Sequence, residues 1–194
     1  KQHAITALIA GFLNENPDMT LQTIEGDSTF VKELLTDGKC DIAFLRSESS
    51  SVKEFNSIPY MIDYLTAVLP ATHPLAKADN LPFEQLRGET FLLFPEHSFI
   101  NDLCIRECRN AGFEPHIAYT GNRGATLIDL VRNGAGITLM MHHSARQEND
   151  SSLAFIPVTP GIYSYISLNY AKEKPLSPQA ESFVRYVKAH KRDF

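Results

Sequence analysis

The sequence predicts an α/β fold built from two Rossmann-like lobes with mainly parallel sheets. Three observations carry this reading. Short apolar runs of strand length alternate with amphipathic helical stripes through most of the chain. Glycine or an Asn-Pro step follows most of those stripes, where a helix must stop. The 194 residues exceed one common domain and fall short of two, which suits two small intertwined lobes.

The elements follow in order. Ile5, Leu8, Ile9, Phe12 and Leu13 form one apolar stripe of a first helix, halted at Asn16-Pro17. Met19 to Glu25 reads as a strand and Gly26-Asp27 as its exit. Ser28-Thr29 reads as the cap of a second helix carrying Phe30, Val31, Leu34 and Leu35, closed at Gly38. Cys40 to Leu45 is a short apolar run, as expected of a strand buried on both faces in a parallel sheet, with Arg46 to Lys53 a loop after it. Ile58 to Leu69 reads as one long strand or a bent pair, interrupted at Pro59. Pro82 opens a short helix through Leu86, and Phe91 to Phe94 is a buried strand. Phe99, Ile100, Leu103, Cys104, Cys108 and Ala111 mark a helix ending at Gly112, followed by a strand at His116 to Thr120. A helix on Ala125, Leu127, Ile128 and Val131 stops at Gly134, with a strand at Ile137 to Met141. Two strands, Leu153 to Val158 and Tyr163 to Tyr170, precede a last helix. It starts at Ser177-Pro178, buries Phe183, Val184 and Val187, and places Lys188, Lys191 and Arg192 at its carbonyl end.

Composition narrows the function. A 43% hydrophobic and 21% charged chain is ordinary for a globular protein, and no run approaches the roughly 20 apolar residues that span a bilayer. The formal charge of −5, with no basic run before the last residues, argues against direct DNA binding by this piece. Lys1-Gln2-His3 and the residues after them lack a secretory signal pattern. Three cysteines, two of them at helical spacing, do not make a disulfide framework, so a cytoplasmic setting is expected.

A family resemblance emerges from Phe12, Pro17, Leu21, Gly26, Leu34, Gly38, Asp41, Ile42 and Ala43. The series continues with His73-Pro74-Leu75-Ala76, Leu86 with Phe91-Leu92-Leu93, Gly112-Phe113 and Pro115. Leu130-Val131 with Gly134, Gly136 and Ile137, and Leu176-Ser177-Pro178 with Phe183, complete it. In order and spacing these residues resemble the effector-binding regulatory domain of LysR-type bacterial transcription regulators. The resemblance implies a type 2 periplasmic-binding-protein fold in which two lobes, joined by two crossover strands, enclose an effector cleft. It places lobe I at residues 1–69 with 170–194 and lobe II at 70–169. It also implies a homodimer, a tetrameric full-length regulator, and DNA contact only through an N-terminal helix-turn-helix domain outside this sequence. The family opens the domain with a strand central to its first sheet, whereas this chain opens with the helix. That strand is expected from residues upstream or from another chain, since its absence leaves backbone groups unpaired.

Candidate site residues lie where strands end and helices begin, the edge of a parallel sheet that gathers free amides and suits an anion. Ser28 and Thr29 offer hydroxyls at a helix start, though simple capping explains them equally. Arg46 offers a planar fork for a carboxylate, against the reading of a solvated loop arginine. His97 and Ser98 precede a helix in the second lobe, Ser98 also being a natural cap. Gly121 and Asn122 lie in a Gly121-Asn122-Arg123-Gly124 loop that lacks the spacing of a nucleotide-binding glycine motif. Met141 ends a strand. His142 and His143 follow it and with His97 raise the idea of a metal site. Neighbours on an extended chain face opposite ways and no third ligand stands at zinc spacing, so no metal and no cofactor is expected. Cys104 and Cys108 share a helix face with Leu103 and Phe99, which favours packing over redox sensing. The expected partner is a small organic anion and the expected output is binding, not turnover. The rivals are the solute-binding protein of a transporter and an enzyme on the same scaffold, the latter without a G-x-S-x-G or comparable nucleophile arrangement.

Overall fold

The computed structural model describes residues 4–145 and 150–190. The chain forms two compact units, residues 1–62 with 164–194 and residues 63–163. The junctions fall inside two long strands, rather than at the 69/70 and 169/170 positions expected from the resemblance.

Unit 1 holds helices α1 (Ala4–Glu15), α2 (Ser28–Thr36) and α6 (Pro178–Ala189), strand β1 (Ala43–Ser47), and parts of β2 (Phe55–Pro70) and β8 (Tyr163–Ala171). β8 lies between β1 and β2 in the sheet. β1 pairs antiparallel with β8, from Ala43 opposite Asn169 to Ser47 opposite Tyr165. The expectation of a parallel partner for this run is therefore corrected: its apolar residues face helices on both sides, which burial alone cannot distinguish from a parallel ladder. On one face Leu8 and Phe12 of α1 meet Phe183, Val184 and Val187 of α6 over Ile58, Tyr60, Ile166 and Leu168. Phe12 sits edge-on to Phe183, with ring centroids 5.0 Å apart. On the other face Leu35 of α2 packs on Ala43, Leu45 and Phe55. Ser177 caps α6 through its side chain, accepting from the Ala180 amide. Of the basic residues expected at the end of α6, Lys188 is in its last turn, while Lys191 and Arg192 lie outside the described residues.

Met19 to Glu25 is not a strand. Its apolar alternation suits one, but a strand needs a ladder. No described segment pairs with it, and β1 likewise has a strand partner on one edge only among the described residues. Pro59, expected to interrupt the long apolar run, lies inside one continuous 16-residue strand.

Unit 2 completes its sheet from β3 (Leu81–Pro82), β4 (Thr90–Leu93), β5 (His116–Thr120), β6 (Thr138–Met141) and β7 (Leu153–Thr159), with the second half of β2 at its centre. The latter pairs antiparallel with β6 and β7, while β3 runs parallel to β7 and β4 parallel to β5. A parallel bridge between Phe91 and Ile137 ties β6 to β4. Pro82 ends β3 and flanks a 3-10 turn at Phe83–Leu86, shorter than the helix its sequence suggests. Helix α3 (Phe99–Asn110) covers one face, where Leu103, Cys104 and Cys108 meet Leu65, Ala67, Leu69, Phe91, Leu93, Leu139 and Met141. Helices α4 (Gly124–Arg132) and α5 (His142–Ala145) cover the other, where Leu127, Ile128, Val131 and Ala145 meet Val68, Leu92 and Met140. The odd and even residues of β2 thus serve opposite cores, the period-two rule that makes a strand buried on both faces apolar throughout. At about 1.5–3 kcal/mol for each fully buried aliphatic side chain, these two layers supply most of the unit's cohesion.

Candidate strand-end site

In unit 1 the first turn of α2 and the end of β1 come together. Asp27, not Ser28, is the helix cap: its side chain accepts from the Thr29 amide at 2.9 Å. Ser28 opens the helix itself, and its Oγ accepts from the Arg46 backbone amide at 3.0 Å. Arg46 is not in a loop, because β1 extends through it to Ser47. Its Nη1 donates to the Oγ of buried Ser164 at 2.6 Å. Ser28 thus holds the Arg46 backbone and Ser164 holds its guanidinium, two contacts remote in sequence that fix one arginine at the end of β1, while Thr29 lies exposed in the first turn of α2. A guanidinium fixed by its neighbours presents a planar fork suited to a carboxylate or similar anion. Ser164 carries no motif and was invisible to sequence reasoning. A cavity of about 700 Å³ lies at the opposite end of α2 around Leu35, Phe55 and Leu176, and none of Ser28, Arg46 and Ser164 is among its lining.

In unit 2 the parallel strands β4, β5 and β6 end at one edge of the sheet, and the loops after them carry the other candidates. Ser98 caps α3, accepting from the Asn101 amide and donating to the Pro95 carbonyl at 2.7 Å. Its hydroxyl is thus engaged in shaping the turn. His97 beside it is exposed and holds a left-handed backbone (φ 64°), a conformation uncommon outside glycine that His, like Asn and Asp, adopts more readily than most residues. The Asn101 side chain is buried, donating to the Phe94 carbonyl while its Oδ1 has no partner. The Gly121 amide donates to the Leu93 carbonyl, and the Tyr119 ring lies where a Cβ at position 121 would stand, 2.7 Å from that point. Asn122 is exposed. Met141 is not on this surface: it is buried in the core with Leu65 and Leu139.

The antiparallel register of β2 and β6 brings Asp63 and Tyr64 to the same end. Asp63 is fully buried and its Oδ1 accepts from the His143 amide and from His143 Nδ1 at 2.9 Å. His142 stacks on Tyr64, with centroids 4.4 Å apart. Among the described residues no group of three or more His, Cys, Asp or Glu is arranged to hold a metal ion. Cys104 and Cys108 are buried free thiols; burial raises both, Cys108 to about 12.

Two α/β units threaded by a pair of long strands, with polar groups collected at strand ends, define a type 2 periplasmic-binding-protein fold. The regulatory domain of Synechocystis PCC6803 CcmR in complex with 2-PG superposes with a TM-score of 0.87 at 16% identity, over 97% of this chain and 91% of that one. The effector-binding domain of QuiR in complex with shikimate does so with a TM-score of 0.79 at 20% identity, over 98% and 93%. The model of the LysR substrate binding domain matches residues 2–192, and the chain belongs to that family. Among curated relatives, the transcriptional dual regulator GltC of Bacillus subtilis (strain 168) is 25% identical over 184 residues, which cover 94% of this chain and 61% of GltC. The chain thus spans about three-fifths of that relative's length. No helix of the described residues is long and apolar enough to cross a membrane.

Proposed function

We propose that this chain is the effector-sensing part of a LysR-type transcription regulator and that its effector is a small organic anion. The observation that carries the reading is Arg46 at the strand end of unit 1, its backbone held by Ser28 and its guanidinium by Ser164. The acid group of the effector engages the Arg46 guanidinium, which Ser164 orients, and Ser28 holds the β1 backbone in position for it. Within unit 2 taken by itself, His97, Ser98, Gly121 and Asn122 stand at the strand ends and are that unit's own candidate contacts. By binding one arrangement of the domain more tightly than another, the effector shifts how a homodimeric, and in the full-length protein tetrameric, regulator presents an N-terminal helix-turn-helix to DNA. Binding without turnover is the output, in the cytoplasm. The GltC match supports the regulatory reading, and the bound CcmR and QuiR domains support a small-molecule one.

A thermal-shift screen of small carboxylates tests it, because a ligand selective for the folded state at about 100 times its Kd adds about 2.7 kcal/mol. Arg46→Gln is expected to weaken the best carboxylate about tenfold or more, as for loss of a charge-assisted hydrogen bond of about 1.5–3 kcal/mol, and Ser28→Ala, which removes a neutral bond to the Arg46 backbone, to weaken it by less. Unchanged affinity in both variants refutes the site.

A further inference from the structure

We infer that His143 is a ligand-contacting residue for a hydroxyl-bearing organic acid, with buried Asp63 as its positioning residue. The inference rests on the strand-end reading above and deepens it. Asp63 has no solvent exposure, yet its Oδ1 collects the Tyr64 amide at 2.9 Å, the His143 amide at 3.1 Å and the His143 ring at 2.9 Å. A buried carboxylate is costly unless hydrogen-bonded, and two of the bonds that satisfy Asp63 come from residue 143. In turn the carboxylate is an acceptor and demands that Nδ1 carry the ring proton. In the neutral ring Nε2 is then a lone pair.

The ring is not enclosed. Its side chain is 46% exposed, and Nε2 has no hydrogen-bond partner among the described residues. Its place in the sheet gives that exposure a meaning. β6 ends at Met141, so His142 and His143 emerge at the edge where β4 leads to His97 and Ser98 and β5 leads to Gly121 and Asn122. His142, stacked on Tyr64 and edge-on to His143, fills the space beside the ring and limits its turning. With Nδ1 turned to the buried carboxylate, Nε2 is the ring atom left at the exposed side, and it suits a ligand carrying a hydroxyl as well as the acid.

Long-range proton–nitrogen spectra of the wild-type protein read the tautomer directly, with gluconate and hexanoate as probes: six-carbon acids with and without hydroxyls. The expected result is His143 protonated on Nδ1, a shift of its Nε2 signal with gluconate and none with hexanoate. His143→Phe is expected to lower gluconate affinity about tenfold, the scale of one lost hydrogen bond of about 1.4 kcal/mol. His143→Gln, which keeps a polar group near the Nε2 position, is expected to recover part of it. Asp63→Asn is expected to scramble the tautomer; if that variant does not fold, the wild-type spectra still decide. A proton on Nε2, equal responses to the two acids, no response to either, or wild-type affinity in His143→Phe overturns the inference. Gluconate affinity kept in His143→Phe overturns it, whatever Ser28→Ala shows for the separate unit 1 reading. Hexanoate binding independent of Ser28 and Arg46 overturns the broader reading instead.

Discussion

Gly136→Ala probes the bridge on which the unit 2 edge depends. Gly136 has φ 156°, and a Cβ placed there would stand 2.4 Å from the Thr90 carbonyl oxygen. That oxygen accepts from the Ile137 amide at 2.8 Å, and the Ile137 carbonyl accepts from the Leu92 amide at 2.8 Å, so the two bonds hold β6 to β4. The methyl group cannot be accommodated by a side-chain rotation, because its neighbour is backbone. A backbone region that favours glycine costs about 1–3 kcal/mol for alanine, and each hydrogen bond pulled out of geometry adds about 1 kcal/mol. The sum is about 3–5 kcal/mol, or roughly 6–20 °C in Tm at about 2–4 °C per kcal/mol for a chain of this size. Gly134→Ala is the matched control: its φ of 76° is also left-handed but nothing lies within 4 Å of the added carbon, so only the conformational cost of about 1–2 kcal/mol applies. Thermal denaturation followed by circular dichroism compares the two, and amide exchange at Leu92 and Ile137 locates the damage. Equal losses in the two variants, or retained protection at Leu92 in Gly136→Ala, refute the argument that backbone contact dominates.

Three other outcomes are expected. The Ser152 hydroxyl, then its amide and Arg132, hold the Asp150 carboxyl down at about 2, so its contribution to stability is complete above the unfolded value of about 4 and is lost as pH falls from there to about 2. Asp150→Asn should remove that part of the acid-denaturation profile, and an unchanged profile counts against it. Alkylation by iodoacetamide should reach partly exposed Cys40 well before Cys104 and Cys108, whose thiols burial holds protonated; mass spectrometry showing equal rates contradicts this order. Ser177→Ala removes the side-chain cap of α6 and should cost about 1 kcal/mol in denaturant titrations, whereas a loss below a few tenths would show that the cap contributes nothing.

What the sequence reveals depends on the range of the interaction. The stripe Ile5, Leu8, Phe12 announces α1 because helical bonds close within four residues, and Ser177-Pro178 announces α6 by the same locality. Met19 to Glu25 has strand-like residues and yet no ladder, since pairing is a property of two segments and only one is legible at a time. Arg46 and Ser28 could be named from their places after a strand and at a helix start. The partner that orients the guanidinium, Ser164, stands 118 residues further on and belongs to no pattern. Likewise the histidine pair is visible as a dipeptide, but the carboxylate that gives His143 its direction lies 80 residues earlier, in a run that reads only as apolar strand. Met141 was named for its place at a strand end, and the side-chain alternation there turns it into the core.

The strand partners Ala43 and Asn169 stand on either side of the whole of unit 2 in the chain. Joining them from an unfolded chain would mean closing a loop of well over a hundred residues, and loop closure must be met before the contacts it permits can reward it. Once residues 63–163 have condensed, the two ends of that stretch leave from neighbouring strands and the effective loop shrinks to roughly a fifth of its length, the segments from Ala43 to Asp63 and from Tyr163 to Asn169. Unit 2 is therefore the part expected to acquire exchange protection first during refolding, with the β1–β8 ladder the last sheet contact to form.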